Sequence, residues 1–237
     1  MSSLAIHSIY MATEGEGIHI GTPQIFVRFQ GCAIGCLNCD SKETWDFTAA
    51  NDSLANVLTQ IESEAGKYPY RTQRVSITGG DPLHPKNIPG VISLTGELKK
   101  RGYFINVEAA GTRVVDELFD MINYISFDLK TPSTGVTTNL SLVEKMLTQY
   151  EDKAQIKAVV ADKKDFDFVF EIYQNLLAKL DHQVTTPWVL TPCYETGEEF
   201  PQERFIEIMD LNQSAGSPFR VIGQQHKWVF GPNKKNV

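Results

Sequence analysis

The stretch PQIFVRFQGCAIGCLNCDS, Pro23–Ser41, joins a short β-rich run to a cysteine-rich loop. Its first seven residues, Pro23–Phe29, have the apolar and β-branched content that predicts a strand. The following loop places Cys32, Cys36 and Cys39 in a C-x3-C-x2-C spacing, and its two glycines allow the thiolates to converge. A strand that delivers three cysteines to one loop indicates a metal or iron–sulfur site at the strand's end.

Three clustered cysteines in a chain that contains four favour ligation over a disulfide framework. Three thiolates can hold three irons of a 4Fe–4S cube, which leaves the fourth iron open to an exogenous ligand. The alternative is a zinc-stabilised binding domain, with Cys193 or a histidine as fourth ligand. Zinc sites usually pair two separated knuckles, and a second knuckle is absent from the sequence. The spacing therefore favours the cluster, and Cys193 is expected to be an ordinary buried thiol.

Downstream of this loop, β-rich runs alternate with helical periods, which predicts a parallel sheet covered by helices. Further strands are predicted at Arg74–Thr78, Tyr103–Glu108, Tyr124–Leu129, Gln155–Val160, Trp188–Leu190 and Phe219–Ile222. Helices are predicted at Leu54–Ile61, Pro89–Arg101, Leu140–Tyr150, Phe166–Leu180 and Pro201–Asn212, followed by a polar tail.

The predicted fold is α/β, an incomplete βα barrel of about six parallel strands, because a closed barrel typically takes about 250 residues. We expect a single domain over residues 1–237, with the cysteine loop at 31–41 and a tail at 223–237. In such folds the chemistry belongs at the C-terminal ends of the strands, and the candidate motifs are expected there.

Charge and hydropathy exclude several classes of protein. Lys and Arg number 22 against 29 Asp and Glu, a net charge of −7, which argues against non-specific binding of nucleic acid. No apolar run approaches the roughly 20 residues that span a bilayer. The first twenty residues lack the basic and apolar regions of a signal peptide. We expect a cytoplasmic protein with neither nucleic acid nor membrane as a partner.

The cysteine loop after a first strand resembles that of the radical S-adenosylmethionine enzymes. A second stretch, Thr78–Pro82 (TGGDP), resembles the GGEP motif of that family, with Asp81 in place of the commoner glutamate. The resemblance implies a full or partial βα barrel in which S-adenosylmethionine chelates the open iron through its amino and carboxylate groups. An electron from the cluster then cleaves it to a 5′-deoxyadenosyl radical.

Motifs beyond the spacing of the three cysteines indicate which subfamily of these enzymes the chain resembles. They are Thr13–Gly17 (TEGEG), Phe26–Cys32 (FVRFQGC), Cys39–Asp46 (CDSKETWD), Gln225–Trp228 (QHKW) and the tail Gly231–Val237. Together they resemble the 7-carboxy-7-deazaguanine synthase family of the queuosine pathway. That family converts 6-carboxy-5,6,7,8-tetrahydropterin into 7-carboxy-7-deazaguanine with loss of ammonia, a radical ring contraction. The resemblance implies that S-adenosylmethionine is regenerated and that Mg²⁺ is required.

The resemblance also implies a set of ligand contacts, although it assigns no catalytic residue. The cluster is expected on Cys32, Cys36 and Cys39, and Mg²⁺ on the hydroxyl of Ser41. Contacts to S-adenosylmethionine are expected from Asn38, Cys39, Asp40, Gly80, Glu108, Ser126 and Lys130. Among Ser126, Asp128 and Lys130 the contact stays open, with Ser126 and Lys130 favoured equally, because Ser126–Pro132 (SFDLKTP) is longer than the Ser-Pro-Lys of many relatives.

Substrate contacts are expected from Thr13, Glu14, Gly15, Glu16, Arg28, Thr78, His226 and the terminal carboxylate of Val237. A pterin presents a guanidine-like edge of donors, from which the carboxylates at Glu14 and Glu16 can accept charge-assisted bonds. Glu14 stands where the family usually has glutamine. Arg28 suits the substrate carboxylate, because a guanidinium fork binds that group bidentately.

The family also implies a homodimer and an electron donor such as a flavodoxin. The alternative within the superfamily is a glycyl-radical-enzyme activase, which shares the cysteine spacing and acts on a protein partner. Activases lack the Thr13–Gly17 turn and the Gln-His-Lys sequence near the C-terminus, so the synthase is favoured.

Overall fold

One eight-stranded sheet dominates the part of the chain that this computed structural model describes, namely residues 3–48, 50–180 and 184–237. The strands are β1 (Ser3–Leu4), β2 (Ile6–Thr13), β3 (Pro23–Phe29), β4 (Asp52–Ser53), β5 (Arg74–Gly79), β6 (Phe104–Ala109), β7 (Tyr124–Asp128), β8 (Ala154–Val160), β9 (Trp188–Pro192) and β10 (Arg220–Val221). The order across the large sheet is β10-β9-β8-β7-β6-β5-β3-β2, and β1 pairs with β4 in a separate ribbon. From β3 to β10 all neighbours run parallel, so the predicted incomplete βα barrel is confirmed.

Helices connect the parallel strands. They are α1 (Leu54–Ala65), α2 (Ile88–Lys100), α3 (Asp116–Phe119), α4 (Leu140–Gln149), α5 (Lys163–Leu177), α6 (Gln202–Ser214) and α7 (Gln225–Phe230). Five agree with the predicted periods to within a few residues, whereas α3 and α7 were not predicted. The sequence left the fold of the polar tail open, and the structure places α7 at its start. None of the helices in the described residues is long and apolar enough to cross a membrane.

Strand β2 is the main element that the sequence did not predict. It runs antiparallel to β3 at the edge of the sheet, with Thr13 opposite Pro23. Most of its side chains are only partly buried, so its sequence, IHSIYMAT, lacks a strong apolar alternation. Because β2 is antiparallel, the turn after it lies at the N-terminal ends of the parallel strands, whereas the cysteine loop lies at their C-terminal ends.

The parallel strands separate apolar from polar side chains, because successive residues of a strand point to opposite faces. One face packs against the helices in the hydrophobic core. Its fully buried members include Ile25, Val27, Val75, Ile77, Ile105, Val107, Ile125 and Phe127. The residues between them face a cavity, and include Arg28, Thr78, Glu108, Asp128 and Lys157. The sheet therefore presents one face to the core and the other to a polar site.

A backbone clamp ties the end of β5 to the cysteine loop. The amide of Gly80 donates to the carbonyl of Phe29 at 3.0 Å, and the amide of Asp81 donates to the carbonyl of Gly31 at 2.9 Å. A Cβ atom on Gly80 would lie 2.7 Å from the carbonyl oxygen of Thr44 and 2.8 Å from that of Gly31. The backbone at residue 80 can therefore come this close to the cysteine loop only if the residue has no side chain, which explains why a glycine is present.

We expect Gly80→Ala to lower the free energy of unfolding by about 1–3 kcal/mol, because the added methyl meets backbone atoms that cannot move aside cheaply. The matched control is Gly96→Ala, in the middle of α2, where an added Cβ meets nothing within 4 Å. That substitution should stabilise the protein by roughly 0.5–1 kcal/mol. Urea unfolding of the three proteins measures both changes, and equal stability of the two variants would contradict the clamp.

Candidate active site

A cavity of about 280 Å³ opens on the polar face of the sheet. Nearly all of the predicted site residues line it: Thr13, Glu14, Gly15, Glu16, Arg28, Cys32, Cys36, Asn38, Cys39, Asp40, Ser41, Thr78, Gly80, Glu108, Lys130, His226 and Val237. Ser126 does not, since it is buried behind the wall and accepts a hydrogen bond from the side-chain amide of Gln155 at 2.9 Å. A more open depression of about 440 Å³ along α6 contains none of the predicted residues.

The three clustered cysteines lie at one end of this cavity, and each is partly exposed. The sulfur of Cys39 accepts hydrogen bonds from the Trp45 indole at 3.3 Å and from the amide of Ser41 at 3.4 Å. Hydrogen bonds of this kind to a thiolate sulfur help to set the potential of an iron–sulfur cluster. Cys193 is buried, as predicted, although it also forms part of the cavity wall.

The cysteine loop fits a cluster better than a single zinc ion. In the described residues, no three His, Cys, Asp or Glu side chains are arranged to hold one metal ion. A zinc ion would draw its thiolates to about 2.3 Å from a single centre. A cubane cluster binds each thiolate through a different iron, so its ligands stand further apart. The three thiols of the loop lie on one cavity wall, where each can bind a different iron.

Polar groups beside the cysteine loop face the cavity. The side-chain amide nitrogen of Asn38 is buried and has no hydrogen-bond partner among the described residues. Two residues after the end of β7, the ammonium of Lys130 lies 2.7 Å from a carboxylate oxygen of Asp128. The pKa of Glu108 lies above its ordinary value, because burial disfavours its charged form. An unpaired donor, a cation and a buried carboxyl are thus available to a ligand with amino and carboxylate groups.

A cluster of charges surrounds Ser41. Its hydroxyl donates to a carboxylate oxygen of Asp40 at 3.1 Å and accepts from the guanidinium of Arg28 at 3.2 Å. Arg28 also donates to the Tyr10 hydroxyl at 3.1 Å. Lys227 lies 3.1 Å from the Asp40 carboxylate. Burial opposes ionisation of Asp40, but Lys227, Arg28 and the hydrogen bond from Ser41 together outweigh it and hold the pKa of that carboxyl below its ordinary value. The strand alternation settles that Arg28 points into the cavity.

The turn Thr13–Gly17 reaches the cavity from the N-terminal ends of the parallel strands, opposite the cysteine loop. The expectation that every motif lies at the C-terminal ends of the strands is wrong here, because antiparallel β2 delivers this turn to the end where β3 begins. The turn folds inward, and the amide of Ile18 donates to the side-chain oxygen of Gln155 at 2.9 Å. Gly17 permits this path with φ +65° and no side chain, since a Cβ would lie 2.2 Å from the Gln155 amide.

Glu14 is held by a buried chain of hydrogen bonds. Because a guanidinium only donates, Arg74 fixes the orientation of the Gln24 amide, donating to its oxygen at 3.0 Å. The amide nitrogen of Gln24 therefore donates to Glu14, at 2.5 Å. The amide of Glu16 donates to the other oxygen of Glu14 at 3.1 Å. Burial, then the charges of Glu108 and Glu16, raise the pKa of Glu14 to about 8.

Glu16 has a different environment from Glu14. Its carboxylate lies 3.1 Å from the ammonium of Lys157 and accepts a hydrogen bond from the Gln224 side chain at 2.7 Å. Burial alone would raise the pKa of Glu16, but Lys157, helped by the hydrogen bond from Gln224, holds it below its ordinary value. Two carboxyl groups in one turn are thus set apart, one favouring the neutral form and one the ionised form.

The C-terminal segment covers this turn. The amide of Gln225 donates to the carbonyl of Gly15 at 2.8 Å, and a Cβ on Gly15 would lie 2.2 Å from the Nδ1 atom of His226. Burial lowers the pKa of His226, which favours the neutral imidazole. Lys235 donates to the backbone carbonyl of Asp40, and Val237 reaches the cavity wall. Helix α7 and the tail therefore close the site over the cysteine loop.

Several residues of the site were not predicted, and Lys157 is the most prominent. A lysine in the otherwise apolar run QIKAVV is a signal that the sequence offered, because lysine is almost never fully buried without a partner. Lys227 and Gln224 lie beside the predicted His226. Tyr10 lies on the unpredicted strand β2. Lys227 belongs to the Gln225–Trp228 motif, although no role was assigned to it, whereas no sequence signal distinguished Tyr10 and Gln224 from ordinary surface residues.

Comparisons with known proteins agree with this geometry. Residues 13–120 match a family model described as a 4Fe-4S single cluster domain. The chain is 28% identical to a 7-carboxy-7-deazaguanine synthase of Methanospirillum hungatei JF-1, over 98% of this chain and 87% of that protein. It is 27% identical to the synthase of Leptospira interrogans, over 97% of each chain.

Among solved structures, the fold is similar to the crystal structure of QueE from Escherichia coli. The TM-score is 0.66 at 22% sequence identity, and the match covers 95% of this chain and 96% of that one. The cluster domain, the full-length relatives and the shared fold agree with the cysteine-lined cavity. The chain is therefore similar over nearly its whole length to curated 7-carboxy-7-deazaguanine synthases, and it shares its fold with QueE from Escherichia coli.

Proposed function

We propose that this enzyme converts 6-carboxy-5,6,7,8-tetrahydropterin into 7-carboxy-7-deazaguanine with release of ammonia. The observation that carries the proposal is the single cavity in which the cysteine loop faces Arg28 and the Glu14–Glu16 turn. Substrate and product differ by one ammonia, so the reaction needs no net oxidant. The curated synthases that match almost the whole chain support this reaction.

The cysteine end of the cavity is assigned to the cluster and S-adenosylmethionine. When bound, these groups supply the electron and the radical that start the reaction. Cys32, Cys36 and Cys39 hold the cluster. The free amide of Asn38, the backbone around Cys39 and Asp40, the backbone at Gly80, the Glu108 carboxyl and the Lys130 ammonium line the space that remains for the cofactor. Ser126 contributes from behind, because it hydrogen-bonds the Glu108 side chain.

The opposite part of the cavity is assigned to the pterin. Arg28 points into it and can present two N–H groups to the substrate carboxylate. Glu14 and Glu16 face the amino-pyrimidine edge, where carboxyl oxygens accept from ring and amino N–H groups. Thr13, Gly15, Thr78, His226 and the carboxylate of Val237 complete this wall.

Mg²⁺ is assigned to the hydroxyl of Ser41. Mg²⁺ prefers oxygen ligands and keeps several waters, so one hydroxyl together with substrate oxygens suffices. The Asp40 carboxylate beside Ser41 supplies negative charge near the ion, which it shares with Lys227. Ligation would replace the hydrogen bond from Arg28 to Ser41, which would free that guanidinium for the substrate.

The remaining parts of the proposal concern the setting of the enzyme. A single domain would act as a homodimer in the cytoplasm, where free thiols stay reduced. Electrons would come from a donor such as a flavodoxin. The substrate is a small molecule, as the relatives' name indicates.

An anaerobic assay tests the reaction. Protein reconstituted with iron and sulfide is mixed with reductant, S-adenosylmethionine, Mg²⁺ and 6-carboxytetrahydropterin, and products are identified by mass spectrometry. The expected product is 7-carboxy-7-deazaguanine, absent from the Cys36→Ala control. Deoxyadenosine without this product would favour the activase. A colourless protein that binds zinc instead of iron would favour the zinc-stabilised binding domain.

Arg28→Ala should raise the KM for the pterin by about tenfold to a hundredfold, because a hydrogen bond to a charged group contributes about 1.5–3 kcal/mol. Cleavage of S-adenosylmethionine to deoxyadenosine should persist, since the cluster ligands are unchanged. The matched control is Arg71→Ala, which removes an arginine paired with Glu62 at the surface. An unchanged KM in Arg28→Ala would exclude the assigned contact.

Ser41→Ala should reduce the stimulation of turnover by Mg²⁺, because it removes the only protein ligand assigned to the ion. The measurement is a titration of initial rate with MgCl₂ for both proteins. Ser141→Ala, which alters an exposed serine beside the Asn139 cap of α4, is the control. Identical Mg²⁺ titrations for Ser41→Ala and wild type would rule out this ligand.

Glu14 should make the stability of the protein depend on pH. With its pKa raised to about 8, the folded protein keeps a proton that the unfolded chain releases above about pH 4.5. The free energy of unfolding of the wild type should therefore fall relative to that of Glu14→Gln as pH rises from 5 to 8, then level off. The total is on the order of a few kcal/mol.

Urea unfolding of both proteins at several pH values measures this difference. All other titrating groups are common to the two proteins. The pKa of Glu108 also changes in part when the Glu14 charge is removed, because the two carboxyl groups repel each other. Parallel stability curves for the two proteins would show that Glu14 ionises normally.

A further inference from the structure

The structure contains a line of alternating charges that crosses the cavity. From Gln224 it passes to Glu16 at 2.7 Å, to Lys157 at 3.1 Å and to Asp128 at 3.0 Å. From Asp128 it continues to Lys130 at 2.7 Å. All five residues line the cavity. The proposed function assigns Glu16 to the substrate and Lys130 to the cofactor, but gives the two residues between them no role.

The strand register fixes the middle of this line. Asp128 and Lys157 are directly opposite each other on β7 and β8, and both point to the polar face. Lys157 is 7% exposed, so its charge depends on its partners for stabilisation. Burial opposes ionisation of Lys157, but Asp128, Glu16 and Glu108 raise its pKa well above the ordinary value. These contacts therefore favour the charged form of Lys157 and fix its neighbours.

Both neighbours depend on Lys157 in turn. Without it, Glu16 and Asp128 would be buried carboxylates facing each other across the site, and like charges in such a position repel. Glu16 would then retain Gln224 and Asp128 would retain Lys130, but each would lack its central cation. The carboxylates would have to move apart or take up a proton.

We propose that Lys157 is a positioning residue that holds two groups in a single arrangement. One is the Glu16 carboxylate on the substrate side of the cavity, and the other, held through Asp128, is the Lys130 ammonium on the cofactor side. The inference rests on the proposed function, which supplies the two ligands. It adds that one buried cation sets the affinity for both, although neither ligand needs to contact it.

Lys157→Met removes the charge at similar length, whereas Lys157→Arg keeps it. Calorimetry on the cluster-loaded protein measures the binding of S-adenosylmethionine and of 6-carboxypterin, an oxidised analogue of the substrate. We expect Lys157→Met to weaken both affinities by about tenfold or more, as for other buried charge pairs that lose one partner. Lys157→Arg should recover most of the loss.

The control variant is Lys145→Met, which also breaks a lysine–carboxylate pair, with Asp116, but on the outside of the molecule. It should leave both affinities unchanged. Double variants separate a positioning role from general damage. In a Glu16→Gln background, Lys157→Met should add little to the loss of pterin affinity. In an Asp128→Asn background, it should add little to the loss of S-adenosylmethionine affinity.

Wild-type affinities in Lys157→Met would overturn the inference, and so would fully additive losses in the double variants. If Lys157→Met does not fold, Lys157→Arg and the Asp128→Asn variant carry the test. Asp128→Asn must then weaken S-adenosylmethionine binding, and unchanged binding would overturn the inference. Failure of the proposed function is distinct, because the wild type itself would then bind no pterin and form no product.

Discussion

The whole site depends on the two-residue alternation of the parallel strands. Each strand gives its apolar residues to the helices and its polar residues to the cavity, so a shift of one residue would exchange core and site. The register between neighbouring strands then decides which polar groups meet: Arg28 lies opposite Thr78, Glu108 opposite Ser126, and Asp128 opposite Lys157. The hydrophobic core and the chemistry are therefore specified by the same pattern.

The second constraint is that the site is assembled from both ends of the parallel strands. The cysteine loop follows β3 at one end and is clamped there by the Gly80 turn. The Thr13–Gly17 turn enters from the other end and is held by Gln155 and by the C-terminal segment. Carboxyl groups crowd where the two parts meet, and burial with mutual repulsion divides them into neutral and ionised members, as Glu14 and Glu16 illustrate.

The sequence predicted the features that rest on local patterns. Strand β3 has the predicted bounds, and α1 begins after Ser53, whose hydroxyl accepts from the amide of Asn56 at 3.2 Å. It did not predict β2, because an edge strand with half-buried side chains has a weak alternation. The sequence could not decide whether Ser126 or Lys130 faces the cavity, because that depends on how far along β7 and beyond its end each residue lies. Lys157 required knowledge of its partners on other elements.

If cluster, cofactor and pterin share one cavity, paramagnetic resonance of the reduced cluster should detect both ligands. S-adenosylmethionine should change the spectrum, because it binds at the open iron. Addition of 6-carboxypterin should change the spectrum again, because it binds beside the cofactor. A spectrum that neither ligand alters, in protein that carries the cluster, would contradict a shared cavity.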